Sequence, residues 1–314
     1  MELRHLRYLL AVAERGNFTR AAEDLHISQP TLSQQVKQLE RAVGAQLLDR
    51  SGRSVRLTDA GAAYVHYARR VLGDLAAADR AVSDVADLTR GSLVLAVTPT
   101  FTAYLVGPLV EQLHTRHPGI DVEVREVPQH RLETGLLADE FDLGIAFDGP
   151  HLAGIDATRL FTEKLSLVVG VGHPDAGRNA AVPVAALADY RLALLSGGFS
   201  TRTHIDAYLA AHQVSPRIAV QADSIQALIE IVQRTALITV LPDAIADSHP
   251  GLTSVRLEPA LPSRTVALLR RDGAYSSAAT RAFLTLTGEL IQTLGYPAGG
   301  SGGSSRLSRK VPPT

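Results

Sequence analysis

The chain has 314 residues, 46% apolar and 20% charged, enough for two or three domains with packed cores. It contains no cysteine, which excludes a disulfide framework, thiolate metal sites and thiol redox chemistry. The net charge is only −1, but residues 1–58 carry nine Lys+Arg against six Asp+Glu while residues 59–314 carry 22 against 26. A basic head on an acidic body suits a local contact with a polyanion.

No apolar run approaches the roughly 20 residues needed to span a bilayer. The opening MELRHLRYLL reads as an amphipathic helix, with neither the long apolar core nor the small-residue cleavage site of a secretory leader. The expectation is a soluble cytoplasmic protein. In chain order, Leu3, Leu6, Leu10 and Ala13 recur at helical spacing and predict a first helix. Gly16 stops it, and Asn17 can cap a second helix that packs Phe18, Ala21, Ala22 and Leu25. Ser28 can cap a third, with Pro30 tolerated in its first turn.

Leu32, Val36, Leu39 and Val43 of that third helix point inward. Gln29, Thr31, Ser33, Gln34 and Lys37 are left outward. Two short helices meeting at a tight turn, the second with small polar side chains on its free face, are a means of reading a DNA major groove. Gln29, Thr31, Ser33 and Gln34 are therefore candidates for base edges or nearby phosphates, and Lys37 for a phosphate. Residues 46–58, QLLDRSGRSVRLT, predict a hairpin-like wing whose Arg50, Arg53 and Arg56 suit phosphate or minor-groove contacts. Residues 1–58 thus read as a winged helix-turn-helix with double-stranded DNA as partner.

Over residues 59–88, Ala60, Tyr64, Tyr67, Val71, Leu75, Ala78, Val82 and Val85 follow spacings of three and four, as a two-helix seam requires. Thirty residues at about 1.5 Å each make a rod of roughly 45 Å. It is read as a dimerising linker helix, with residues 89–92 as a hinge. Strands and helices then alternate: strands at 93–97, 120–127 and 142–147 with helices over 101–116 and 128–138. A second series follows, with strands at 165–170, 191–195, 217–221 and 237–240 and helices over 201–212 and 224–234. A strand at 265–270 and a helix over 277–293 come last. Such alternation implies parallel sheets covered by helices. The expected C-terminal part is a two-lobe α/β effector domain over 93–294, built like a periplasmic binding protein. One lobe takes 93–162 and 265–294, the other 163–264. The Gly/Ser/Pro-rich residues 295–314 are expected to be disordered and are assigned no function.

Thr98, Thr100, Phe101 and Thr102 follow the strand 93–97 and open a helix. Ser196, Phe199, Thr201 and Arg202, with Gly197 and Gly198 between, do the same in the other lobe. Free N–H groups at helix starts favour anions, and open α/β sheets bind ligands at the carboxyl ends of their strands. Phe147, Ser224 and Ile225 are candidate further walls. The expectation is a small anionic effector held between the two helix starts. An enzyme is the rival reading, but there is no P-loop, no GxGxxG, no GxSxG elbow between a strand and a helix, and no HExxH among the 11 His. No catalytic residue, metal or cofactor is assigned. A solute-capturing envelope protein shares the two-lobe design but has no use for residues 1–58.

FTRAA at 18–22, SQPTLSQQVKQLE at 28–40, Gly44, LLDR at 47–50 and LTDAG at 57–61 together resemble the LysR-type transcriptional regulators. The order of strands and helices extends the likeness to nearly all the rest. One departure is Leu48, where the family usually has Phe. The resemblance implies a homotetrameric winged helix-turn-helix activator that typically represses its own gene. It implies a dyad-symmetric, partly A·T-rich operator, with RNA polymerase as a further partner. The stretch DVADLTRGSLVLAVTPTFTAYLVGPL (84–109), with DLGIAF (142–147) and ALLRR (267–271), is most similar to members that govern cyanate operons of enteric bacteria. That likeness implies cyanate as the inducer.

Overall fold

Local capping signals set the N-terminal architecture of the computed structural model, which describes residues 2–52, 54–86 and 91–296. Helices α1 (Leu3–Arg15), α2 (Phe18–Asp24) and α3 (Gln29–Val43) precede a wing of two antiparallel strands, β1 (Leu48–Asp49) and β2 (Arg56–Leu57). Gly16 ends α1 at φ 59°, a left-handed conformation that glycine adopts without steric cost. The Asn17 side chain accepts from the N–H groups of Thr19 and Arg20 and so caps α2. Ser28 caps α3 in the same way through Thr31. Leu9, Val12, Ala21, Leu32, Val36, Leu39, Leu47 and Leu48 close the core between these elements.

Of the stripe expected on α1, Leu6 is buried and Leu10 and Ala13 are half-buried against the same core, while Leu3 is exposed; the fully buried set is His5, Leu6, Leu9 and Val12. The helix has two apolar faces. Leu3 lies on the second, with Tyr64, Tyr67 and Val71 of the linker helix α4 (Asp59–Ala86) around a shared pocket. Along α4, Tyr67, Val71 and Val82 remain 61%, 48% and 73% exposed. Of the expected hinge 89–92, residues 89 and 90 lie outside the described residues, while Gly91 and Ser92 already belong to the strand Gly91–Val97. Of the expected disordered tail 295–314, residues 297–314 lie outside them, while Tyr296 is ordered against the core, its ring stacked on Phe161 at 4.4 Å.

The next strands are β3 (Gly91–Val97), β4 (Ile120–Glu126), β5 (Leu143–Phe147) and β6 (Ile155–Glu163). Helices α5 (Pro99–Thr102), α6 (Val106–Arg116) and α7 (Gln129–Leu137) connect them. The single helix expected over 101–116 is thus two. Pro108 has no N–H to donate back to Tyr104, so the chain bends after Thr102 and restarts with proline in the first turn.

The following elements are β7 (Leu165–Gly170), β8 (Val182–Pro183), a 3-10 turn at Val184–Asp189, β9 (Arg191–Leu195), α8 (Ser200–Ala211), β10 (Arg217–Ala222) and α9 (Ile225–Arg234). After them come β11 (Thr239–Pro242), α10 (Asp243–Ser248), β12 (Leu252–Val255), β13 (Leu257–Glu258), β14 (Arg264–Arg271) and α11 (Ala278–Thr293).

The first sheet has five strands in the order β4-β3-β5-β14-β6. The expectation of purely parallel sheets is corrected here. β3 runs parallel to β4 and β5, but β14 is antiparallel to both β5 and β6. β7 is antiparallel to β11 and β12, while β9 and β10 pair in parallel. The reason is topological. β6 leaves the first sheet at the end where β3 and β5 terminate, and β14 re-enters from that end, so it must run the other way. Two crossings, Glu163 to Leu165 and Glu258 to Arg264, therefore join the sheets beside the carboxyl ends of β3 and β5. No described helix is long and apolar enough to cross a membrane.

Candidate DNA-reading face and effector cleft

On α3, burial of Leu32, Val36 and Leu39 turns Gln29, Thr31, Gln34 and Lys37 outward, all exposed, with Ser33 half-buried beside them. The Thr31 hydroxyl lies 2.7 Å from the Ser28 hydroxyl, so it is oriented by the cap it helps to build. Arg41 is exposed one turn beyond Lys37 and borders the same shallow pocket. The i, i+4 spacing of two cations was the signal for it in the sequence.

The wing departs from expectation at Arg50. Its Nη2 donates to Glu40 at 2.8 Å and its guanidinium covers the Phe18 ring at 5.0 Å. Glu40 also accepts the N–H groups of Leu47 and Leu48 at 3.0 and 3.1 Å. Arg50 therefore ties the wing to α3 and α2, and its charge is compensated within the fold. Arg56 is exposed on β2, and Arg53 lies outside the described residues.

At the carboxyl ends of β3 and β9 a cavity of about 210 Å³ opens between the two lobes. Of the residues expected there, Thr98, Thr100, Phe147, Ser196 and Phe199 line it. Thr100 and Thr201 touch across the lobes, hydroxyl to hydroxyl, at 3.2 Å. The Thr98 hydroxyl is buried and has no hydrogen-bond partner among the described residues, in a residue 3% exposed. Helix α8 begins at Ser200 with no side chain capping its first turn, so its leading N–H groups are available beside the cavity.

Other expected residues fall elsewhere. Arg202 donates to Asp206 at 2.8 and 2.9 Å and to the Leu195 carbonyl at 2.9 Å, pinning α8 to β9 instead of facing the cavity. Phe101 is fully buried beneath the cavity, its ring 4.9 Å from that of Phe147. Thr102 is exposed outside it. Ser224 caps α9 through Ala227, and Ile225 belongs to the core.

Sequence reasoning missed Pro128, Gln129 and Asp223, which also line the cavity together with Ser200 of the expected 196–202 element. Gln129 clamps the Phe147 main chain, donating to its carbonyl at 2.8 Å and accepting its N–H at 3.3 Å. Asp223, exposed at the rim, adds a negative charge that a bound anion must keep away from. Among the described residues no group of three His, Cys, Asp or Glu is placed to hold a metal ion.

A helix-turn-helix with a wing, a long helix and a two-lobe α/β domain with a cavity between the lobes define a ligand-responsive DNA-binding protein. Residues 3–62 match the family described as bacterial regulatory helix-turn-helix protein, lysR family. Residues 86–291 match the family described as LysR substrate binding domain. The chain belongs to the LysR family of DNA-binding transcriptional regulators, with an effector-binding domain. It is 31% identical over 277 residues to the DNA-binding transcriptional dual regulator OxyR of Escherichia coli K12, covering 87% of this chain and 90% of that one.

Among solved structures it is similar to a full-length OxyR variant from Pseudomonas aeruginosa. There the TM-score is 0.69 and the identity 28%, with 93% and 95% of the two chains covered. It is also similar to full-length CbnR in complex with its target DNA. That likeness has a TM-score of 0.64 and 26% identity, with 91% and 99% covered.

Proposed function

We propose that this regulator binds a small anion, cyanate in the first instance, in the cavity between its lobes and thereby alters its grip on promoter DNA in the cytoplasm. One observation carries the reading: the partnerless Thr98 hydroxyl in a cavity of about 210 Å³ beside the uncapped start of α8. An orphan buried hydroxyl is costly unless a ligand supplies its hydrogen bond. The small volume favours a few-atom ligand, and the helix start favours negative charge. Cyanate is put first on the resemblance read from residues 84–109 of the sequence, whereas the relatives found are OxyR-type activators and other members of the family. Several relatives are named as hydrogen peroxide-inducible genes activators. This chain has no cysteine, so a response through thiol oxidation is closed to it.

Gln29, Thr31, Ser33 and Gln34 read bases or nearby phosphates in this proposal, while Lys37 and Arg56 contact phosphate. Tyr67, Val71 and Val82 join two copies through α4, as a step towards a tetramer on a two-fold operator. Such an assembly fits an activator that represses its own gene. Calorimetry of the full chain with sodium cyanate tests the ligand. Measurable heat together with protection against thermal unfolding is expected. Absence of both removes cyanate, and the same titration with azide, bicarbonate and acetate then asks for another small anion.

A further inference from the structure

One buried ion pair sits where the chain crosses between the lobes. Glu163 is the last residue of β6 and Arg264 the first of β14, and they are direct partners in the ladder. Arg264 Nε donates to Glu163 Oε2 at 2.8 Å, and Nη2 lies 2.6 Å from the same oxygen. The Tyr104 hydroxyl donates to the other oxygen at 2.7 Å. The Arg264 and Glu163 side chains are 9% and 3% exposed. On its open face the guanidinium lies 3.8 Å from the centre of the Phe147 ring, which lines the cavity. From the second lobe, Asp243 donates its N–H to the Lys164 carbonyl at 3.1 Å.

Stability alone does not account for this arrangement. Desolvating two charges offsets most of their attraction, so apolar residues of similar volume serve a core as well or better. Among the described residues Nη1 and Nη2 of Arg264 moreover make no hydrogen bond, Nη2 standing by the carboxylate as an ion contact alone. What the pair does is join things. One guanidinium holds the strand leaving the first sheet, begins the strand returning to it, and supports the aromatic wall of the cavity.

We propose that Arg264 is a positioning residue for the effector response, coupling the Phe147 wall to the two crossings between the lobes through Glu163. The proposal rests on the reading of the cavity as the effector site. Both crossings meet this pair, Glu163 beginning one and Arg264 ending the other, so a rotation of the lobes turns the chain immediately beside it. A ligand that moves Phe147 disturbs the same contacts. A ligand preferring one arrangement of the pair then shifts the population of lobe angles.

Hydrogen exchange on the full chain, without ligand, tests this independently of which anion binds. Arg264→Lys keeps the charge but loses the planar stack on Phe147 and the Nε donor to Glu163. Glu163→Gln keeps the shape and loses the charge. In both variants the hydrogen-bonded amides of Phe101, Phe199 and Thr203 beside the cavity are expected to exchange at least tenfold faster, while β4 and β10 keep wild-type rates. Wild-type rates around the cavity would overturn the proposal. A uniform acceleration across both lobes would also overturn it, by making the pair merely structural.

Should either single variant fail to fold, the double replacement Arg264→Met with Glu163→Leu keeps the joint packed, and the same local acceleration is expected. A second arm titrates sodium cyanate by calorimetry into wild type and Arg264→Lys. A tenfold weaker Kd in the variant supports coupling, and equal affinities count against it. No heat with wild type sinks cyanate alone, and the exchange result still decides for Arg264.

Discussion

Arg271, at the end of β14, reaches out of the effector domain to Asp74 on the linker helix, Nη2 to Oδ1 at 2.9 Å. Its Nε holds Asp139 at 2.8 Å. Asp139 in turn lies against Gly73, where an added Cβ would come within 2.3 Å of the Asp139 side chain. The linker helix is thus seated on the first lobe by a cation between two carboxylates and by a glycine that allows close approach.

The two ends of this contact should weigh differently. Asp74 is 63% exposed, so Asp74→Ala is expected to cost under about 1 kcal/mol. Arg271 is 12% exposed and also serves the equally sheltered Asp139, so Arg271→Ala is expected to cost about 2–4 kcal/mol. Gly73→Ala should unseat the helix by driving its new Cβ into the Asp139 side chain while leaving Asp74 and Arg271 unchanged. Urea unfolding of the three variants checks the order, and equal costs for Asp74 and Arg271 would contradict it.

A second prediction separates structure from DNA contact in the wing. Arg50→Ala is expected to lower the melting temperature while leaving the salt slope of DNA binding unchanged, since Glu40 already compensates its charge. Glu40→Ala should be worse, by about 2–3 kcal/mol, because it strips the acceptor from the Leu47 and Leu48 amides as well. Lys37→Ala is the contrast: stability within about 0.5 kcal/mol of wild type, and a salt slope shallower by about 0.9. A slope change in Arg50→Ala and none in Lys37→Ala would reverse the assignment.

What could be read from the sequence follows from range. The recognition helix was legible because Ser28, Leu32, Val36 and Leu39 are local signals, each interpretable within one or two turns. Thr98, Phe147, Ser196 and Phe199 were legible because strand ends locate a cleft without knowledge of its walls. Gln129 and Asp223 were not, since their places depend on how separate elements pack; Gln129 meets Phe147 from 18 residues away. Arg50 and Arg202 show the remaining failure. Their charge was plain, but the partner that captures it was not weighed, although Asp206 stands at i+4 from Arg202. The antiparallel return of β14 likewise depends on the double crossing, which no local pattern announces.

Acid should weaken the first lobe through Asp148. Burial pushes its carboxyl up, but hydrogen bonds and charge from Arg159 and His151 outweigh that and hold it below the ordinary 3.8. A carboxyl with a lower value folded than unfolded stabilises the fold fully above the unfolded value, and that contribution is lost as pH falls through the folded one. Stability of the wild type is therefore expected to fall below about pH 4, and Asp148→Asn to be less stable at neutral pH with a flatter acid limb. Thermal melts between pH 3 and 7 check this. Parallel curves for the two proteins would mean that Asp148 contributes nothing to the acid response.

The last prediction concerns Thr98, where stability and ligand binding should move in opposite directions. Thr98→Val removes a buried hydroxyl that has no partner among the described residues and replaces it with a methyl of similar size. Relief of that desolvation is expected to raise unfolding free energy by about 1 kcal/mol. The same hydroxyl is the group offered to an anion at the start of α8, so affinity for cyanate should drop about tenfold, the loss of one hydrogen bond to a charged ligand. Thr100→Val gives the control, because its hydroxyl already meets Thr201 across the lobes. It should lose stability and loosen the lobes. If Thr98→Val proves less stable than wild type, its hydroxyl is already satisfied without ligand, and the cavity loses its main claim to be the effector site.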